Sequence, residues 1–224
     1  KLTVPQLEKL AKKARVPFGF LFLQKPPRIQ RASLPDLRRV QSAEPLSEDF
    51  FETLEDVVAK QSWLAEHMHE LGQPALPFVG KFKNIDKRSW GKVADDIKEE
   101  LNISDQDRRE SPDAEAYFSR LSSKAERAGL LVFKNSIVKN QTRRALSERE
   151  FRGFAISHSH SPVVFVNGRD AEVAAVFTLI HEIAHIWIGE NGVSDIAPNT
   201  SNPTEIFCNK VAAEVLVPHQ AFIS

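Results

Sequence analysis

The pentapeptide HEIAH at 181–185 constrains this 224-residue chain more than any other feature. It sets His181, Glu182 and His185 in the pattern H-E-x-x-H. Residues four apart on a helix lie one turn along the same face. Two imidazoles so placed hold one Zn²⁺, and the glutamate beside the first is positioned to act as a base on water there. The pattern implies a metal-dependent hydrolase, above all a peptidase.

Because the pattern is short, its surroundings decide whether it carries chemistry. It sits in DAEVAAVFTLIHEIAHIWIG, residues 170–189. Val173, Phe177, Ile180, Ala184 and Ile188 recur at helical spacing and give this segment an apolar face. Asp170 reads as its N-cap and Gly189 as the residue that ends it. Two histidines and a glutamate in so apolar a segment are costly to bury unpaired, and a metal removes that cost.

Composition narrows the alternatives. The chain carries no net charge, which disfavours a dominant nucleic-acid or membrane surface. A single cysteine excludes an internal disulfide and fits a reducing, cytoplasmic setting. No stretch approaches the ~20 apolar residues of a membrane span. The chain begins at Lys1 already in helical pattern and ends at Ser224 just after a helix, so both ends read as cuts.

The pattern along the chain predicts an α+β protein. Residues 4–14 place Leu7, Leu10, Ala11 and Ala14 on one helical face. A Pro-, Arg- and Ser-rich connector follows at 24–45. Ser47 caps a long helix running to about Leu71, with Phe50, Phe51, Leu54, Val57, Val58, Leu64, Ala65, Met68 and Leu71 inward. A third helix starts near Ser89, and a fourth opens at Ser111-Pro112, read as N-cap and N1. The period then shortens: LLVF (130–133), FRGFAIS (151–157) and PVVFVN (162–167) read as strands, with a long charged loop at 135–150. The last helix runs from Asn202-Pro203 to Pro218. The expected organisation is 1–46 as linker with an N-terminal helix, 47–129 as a helical region, and 130–224 as a catalytic unit whose small sheet packs on the H-E-x-x-H helix.

A catalytic zinc site of this kind needs a third protein ligand and an open fourth position. Glu190 follows His185 too closely to turn back on a continuing helix. No third histidine stands at the metzincin spacing. Glu205, early in the next helix, is the preferred ligand, and Cys208 and Glu214 are the alternatives. Asn209 shares a face with Glu205 and suits a hydrogen bond to a ligating group. Tyr117, His158, His160 and His219 are the candidate donors to an oxyanion.

Three blocks resemble the ImmA/IrrE family of metallopeptidases. FRGFAISHSHSPVVFVNGRDAEVAAVFTLIHEIAHIWIG is similar to that family's strands and motif helix. EIFCNKVAAEVLVP (205–218) is similar to its E-x-x-x-N-x-x-A-A-x-x-L-x-P helix. The N-terminal KLTVPQLEKLAKKARVPFGFLFLQKPP with LPDLRR resembles the join to an XRE-type helix-turn-helix domain in fused members. The resemblance implies a zincin-like fold, metal ligation by His181, His185 and Glu205, and base chemistry at Glu182. It implies Zn²⁺, with another divalent ion such as Mn²⁺ as the alternative. It also implies a protein substrate of regulatory kind, such as a transcriptional repressor. Only the last helix of a DNA-binding domain is expected here, so DNA would be reached through a domain largely outside this chain.

Two other functions compete with the zinc-dependent endopeptidase. One is a catalytically silent metal-binding sensor, which an intact Glu182 disfavours. The other is a regulator attached to a DNA-binding domain. Lys25, Arg28, Arg31, Arg38 and Arg39 would suit phosphate contact, but a solvated connector explains them as well.

Overall fold

The computed structural model describes residues 2–14, 16, 18–25, 32, 34, 46–86, 88–194 and 200–217. The chain forms two compact units, residues 1–31 and 32–224. In the first, helix α1 (Val4–Ala14) is followed by a 3-10 turn at Phe18–Phe22. Ala11 is buried, but Leu10 of the expected apolar face is exposed. One helix and one turn offer too little surface to bury a full face against. Among the described residues this unit holds no second α-helix, so no helix-turn-helix is present in it. Most of the connector, with its basic residues Arg28, Arg31, Arg38 and Arg39, lies outside the described residues.

The second unit is α+β, with a small mixed sheet between two layers of helix. The sheet contains β1 (Leu131–Asn135), β4 (Gly153–Ile156), β5 (Val163–Asn167) and β6 (Gly192–Ser194) in the order β1-β5-β4-β6. β1 runs parallel to β5, and β4 is antiparallel to both of its neighbours. Alternation along β5 divides its side chains between two cores. Val163 and Phe165 face Phe50, Leu54 and Val57 of α2 (Glu48–Glu70). Val164 and Val166 face the other core, shared with α3 (Trp90–Glu100), α5 (Ala114–Arg127), α6 (Glu172–Ile188) and α7 (Pro203–Leu216). A strand covered on both sides reads as a continuous apolar run, as VVFV does.

The long helix α2 starts as its sequence predicts, with Ser47 Oγ accepting from the Phe50 N–H at 3.3 Å. Its stripe is buried only in the first half, and Leu71 is exposed. Three departures from expectation have local causes. Residues 135–150 are not a plain loop: β2 (Ile137–Val138) and β3 (Gln141–Ala145) form a hairpin. Val138 and Leu146 anchor it in the α2 core, and Arg144 donates to Glu52 at 2.7 and 2.9 Å and to Asp49 at 2.6 Å. Ahead of α5 a short helix, α4 (Asp105–Arg109), takes Ser111 Oγ as a donor to the Asp107 carbonyl at 2.7 Å. Asp113 therefore caps α5, accepting from the Ala116 N–H at 2.8 Å, and Pro112 lies outside the helix. Asp170 does not cap α6. Ala171 holds that position, and Asp170 pairs with Arg152 at 3.3 Å.

No helix among the described residues is long and apolar enough to cross a membrane.

Candidate metal centre

α6 is surrounded. From Ala175 to Ile188 only Phe177 is not buried, and the helix packs on β4 and β5 with one face and on α7 and α5 with others. Gly189 ends it in the left-handed conformation, φ 71°. A side chain there would also meet Gly80 Cα at 3.1 Å. α7 starts at Asn202, whose Oδ1 accepts from the Thr204 N–H at 2.9 Å, with Pro203 at the first helical position. This start sets Glu205 in the first turn, aimed into the protein.

His181, His185 and Glu205 converge there, all fully buried. His181 Nε2 and His185 Nε2 are 3.1 Å apart. His181 Nε2 lies 3.3 Å from Glu205 Oε2, and His185 Nε2 lies 3.1 Å from Glu205 Oε1. Four-coordinate zinc with bonds of ~2.0–2.1 Å separates its donor atoms by ~3.3 Å. The two imidazole nitrogens and the Glu205 carboxylate are therefore already spaced like the corners of such a tetrahedron, each nitrogen facing a different carboxylate oxygen. The donor set also fits the cation: two imidazoles and one carboxylate, burdened with orphaned polar atoms. Among the described residues, Nδ1 of both histidines and Asn209 Oδ1 are buried without a hydrogen-bond partner. Burial holds the His185 imidazole below its ordinary pKa, which keeps the neutral, ligating form. At Glu205, burial works to raise the pKa, but hydrogen bonds and charge from both imidazoles outweigh it and bring the carboxyl to about 2.

The Glu182 carboxyl lies in the same buried space, against the sheet at Gly153. Both its oxygens are buried without a hydrogen-bond partner. Burial first, and then the charge of Glu205, push its carboxyl well above the ordinary range, and the Ser194 hydroxyl works weakly against them. Ser194 is itself buried on β6 and donates to Glu205 Oε1 at 3.4 Å. Glu182 fits only because position 153 has no side chain. A Cβ on Gly153 would stand 2.7 Å from Glu182 Oε1 and 2.8 Å from both Phe165 O and Thr178 Cγ2. We expect Gly153→Ala to cost about 1–3 kcal/mol of stability, as overpacking does, and to displace Glu182. Chemical denaturation reads this directly. An unchanged midpoint with an unchanged site structure would show that the close approach is not required.

The other residues singled out from sequence distribute unevenly. Cys208 and Glu214 are outside the cluster, and the Cys208 side chain is buried in the apolar core. Asn209 follows Glu205 by one turn of α7. Tyr117, on α5, lines a cavity together with Phe177, whose ring centroid is 6.4 Å from that of His181. His158 and His160 are not brought to the centre. Gly153, at one end of β4, touches Glu182, and these histidines follow the other end of the strand, ~10 Å away along three extended residues. There His158 Nδ1 accepts from the His160 N–H at 3.3 Å and lies 3.1 Å from Ser161 Oγ. His219 lies outside the described residues.

An H-E-x-x-H helix with a third carboxylate ligand, packed on a small mixed sheet, is the active-site arrangement of a zincin-like metalloprotease. Residues 125–224 match the family model described as the IrrE N-terminal-like domain, Peptidase_M78. The chain thus contains a C-terminal domain of this type, consistent with the ImmA/IrrE resemblance, and the match takes in β1, α6 and α7. Comparison with curated proteins and with solved structures finds no match.

Proposed function

We propose that the chain is a zinc-dependent endopeptidase that cleaves a regulatory protein such as a transcriptional repressor. The observation that carries this reading is Glu182: a fully buried carboxyl beside a set of only three ligands, which leaves the fourth position of a zinc ion open as catalytic sites do. His181, His185 and Glu205 would hold a divalent cation, which would supply Lewis acidity toward a peptide carbonyl and water. Glu182 takes the proton from the attacking water and returns it to the departing amine nitrogen. Gly153 leaves the room in which that carboxyl moves. Asn209, one turn after Glu205 on α7, is suited to orient a ligating side chain, and Tyr117, which lines the cavity beside Phe177, is a candidate donor to the oxyanion.

The helices of 47–129 restrict access to the catalytic unit at 130–224, which suits a narrow-specificity enzyme. Incubating metal-loaded protein with candidate repressors and mapping fragments by mass spectrometry tests the reading. One defined, chelator-sensitive cut supports it, and no cut in any candidate counts against it.

A second reading has its own observation. His181, Glu182, His185 and Glu205 are all at 0% exposure, as in a centre closed to substrate. A catalytically silent metal-binding sensor would look the same. Tight partner binding without cleavage, by wild type and Glu182→Gln alike, would favour it.

A further inference from the structure

The ridge of α6 that carries the two histidines extends beyond the metal centre. Val173, Phe177, His181 and His185 follow at intervals of four, one row along the helix. On α7, Glu205, Asn209 and Ala213 form the corresponding row. The two helices pack against each other, with the metal ligands at one end of the seam. At the other end a cavity of about 660 Å³ opens, lined by Ala114 and Tyr117 of α5, Val173 and Phe177 of α6, and Ala213 and Leu216 of α7. Phe177 belongs to both ends: it lines the cavity and its ring lies against His181. One turn of helix, ~6 Å, separates their Cα atoms.

Ligand cavities of ~300–1,000 Å³ with mostly apolar walls are the usual size for a small ligand or a few residues of peptide. This one has an apolar wall left uncovered. Val173 is 74% exposed, although its spacing belongs to the buried face of the helix. Val173 stands in line with the metal ligands and leaves the apolar wall of this cavity open at its mouth.

We propose that this cavity is the specificity subsite of the peptidase and takes a bulky apolar side chain of the protein substrate beside the scissile bond. The proposal rests on the endopeptidase reading and adds the substrate preference. A peptide crossing the mouth of the cavity would place such a side chain against Val173 and Leu216, one helical turn from the ligand His181 through Phe177.

Two measurements test the subsite separately from catalysis. Methyl-labelled, metal-free protein is titrated with N-acetyl-phenylalaninamide and with N-acetyl-glycinamide. The phenylalanine compound should shift the Val173, Ala213 and Leu216 methyl signals, and the glycine compound should not. Metal-loaded protein is then given a peptide mixture, and cut sites are sequenced. Cleavage should concentrate beside large apolar residues. Val173→Trp, placed at an exposed position so that the fold is kept, should fill the mouth of the cavity. It should lower kcat/KM on those peptides roughly 10- to 100-fold, the range one apolar pocket discriminates, with metal content unchanged. Equal methyl responses to the two probes, or cut sites indifferent to neighbouring side chains, would overturn the subsite. Selective methyl shifts with no peptide cut would instead overturn its role in substrate choice and the endopeptidase reading with it.

Discussion

Glu182→Gln keeps the full metal content and lowers peptide cleavage by about 10²- to 10⁴-fold, the usual worth of a positioned acid-base group. Glutamine has nearly the shape of glutamate, so the close packing against Gly153 and Thr178 survives. It cannot accept a proton from water. The loss should fall on kcat and leave KM nearly unchanged, since the fully buried side chain does not hold substrate. The variant should also be no less stable than wild type when metal-free, because it replaces a buried, unpartnered acid with a neutral amide. A variant that cuts at the wild-type rate would remove Glu182 from the chemistry.

Metal removal should have the second large effect. Without a cation, two imidazoles and two glutamates share one fully buried space. Zinc binds the folded site and not the unfolded chain, so at 100-fold excess over Kd it adds about 2.7 kcal/mol. For a chain of this size that corresponds to a rise in Tm of roughly 5–10 °C. Calorimetry with and without chelator reads the shift, and Glu205→Ala should abolish most of it. A Tm insensitive to chelator would mean that the cluster is not a metal site in the folded protein.

The chemistry of the centre was legible in the sequence because it depends on helical spacing. His181 and His185 follow from one turn of helix. Glu205 follows from a helix whose start is announced by Asn202-Pro203 and which has to return across α6. What was hidden depends on tertiary approach. Gly153 carried a signal, a lone glycine inside an apolar strand, which often marks close backbone approach. Ser194 carried none, since a serine in a three-residue strand resembles any turn residue. The β2–β3 hairpin escaped because its exposed strand reads QTRRA, and its turn places Lys139 at φ 51° where asparagine or glycine would have announced it. His158 and His160 are near the motif in sequence and follow the end of β4 opposite Gly153, outside the His181–His185–Glu205 cluster.

Val173 shows how a correct period can give an incomplete answer. It lies in the helical apolar row as its sequence suggests, but it is exposed, because the surface facing it is a cavity and not a neighbouring element.

The central claim is that His181, His185 and Glu205 together hold one divalent ion. Elemental analysis of purified wild-type protein and of His181→Ala, supported by X-ray absorption at the zinc edge, tests it most directly. Wild type should carry one zinc per chain with nitrogen and oxygen neighbours at ~2.0–2.2 Å, and His181→Ala should lose it. Full zinc occupancy in folded His181→Ala would contradict the assignment.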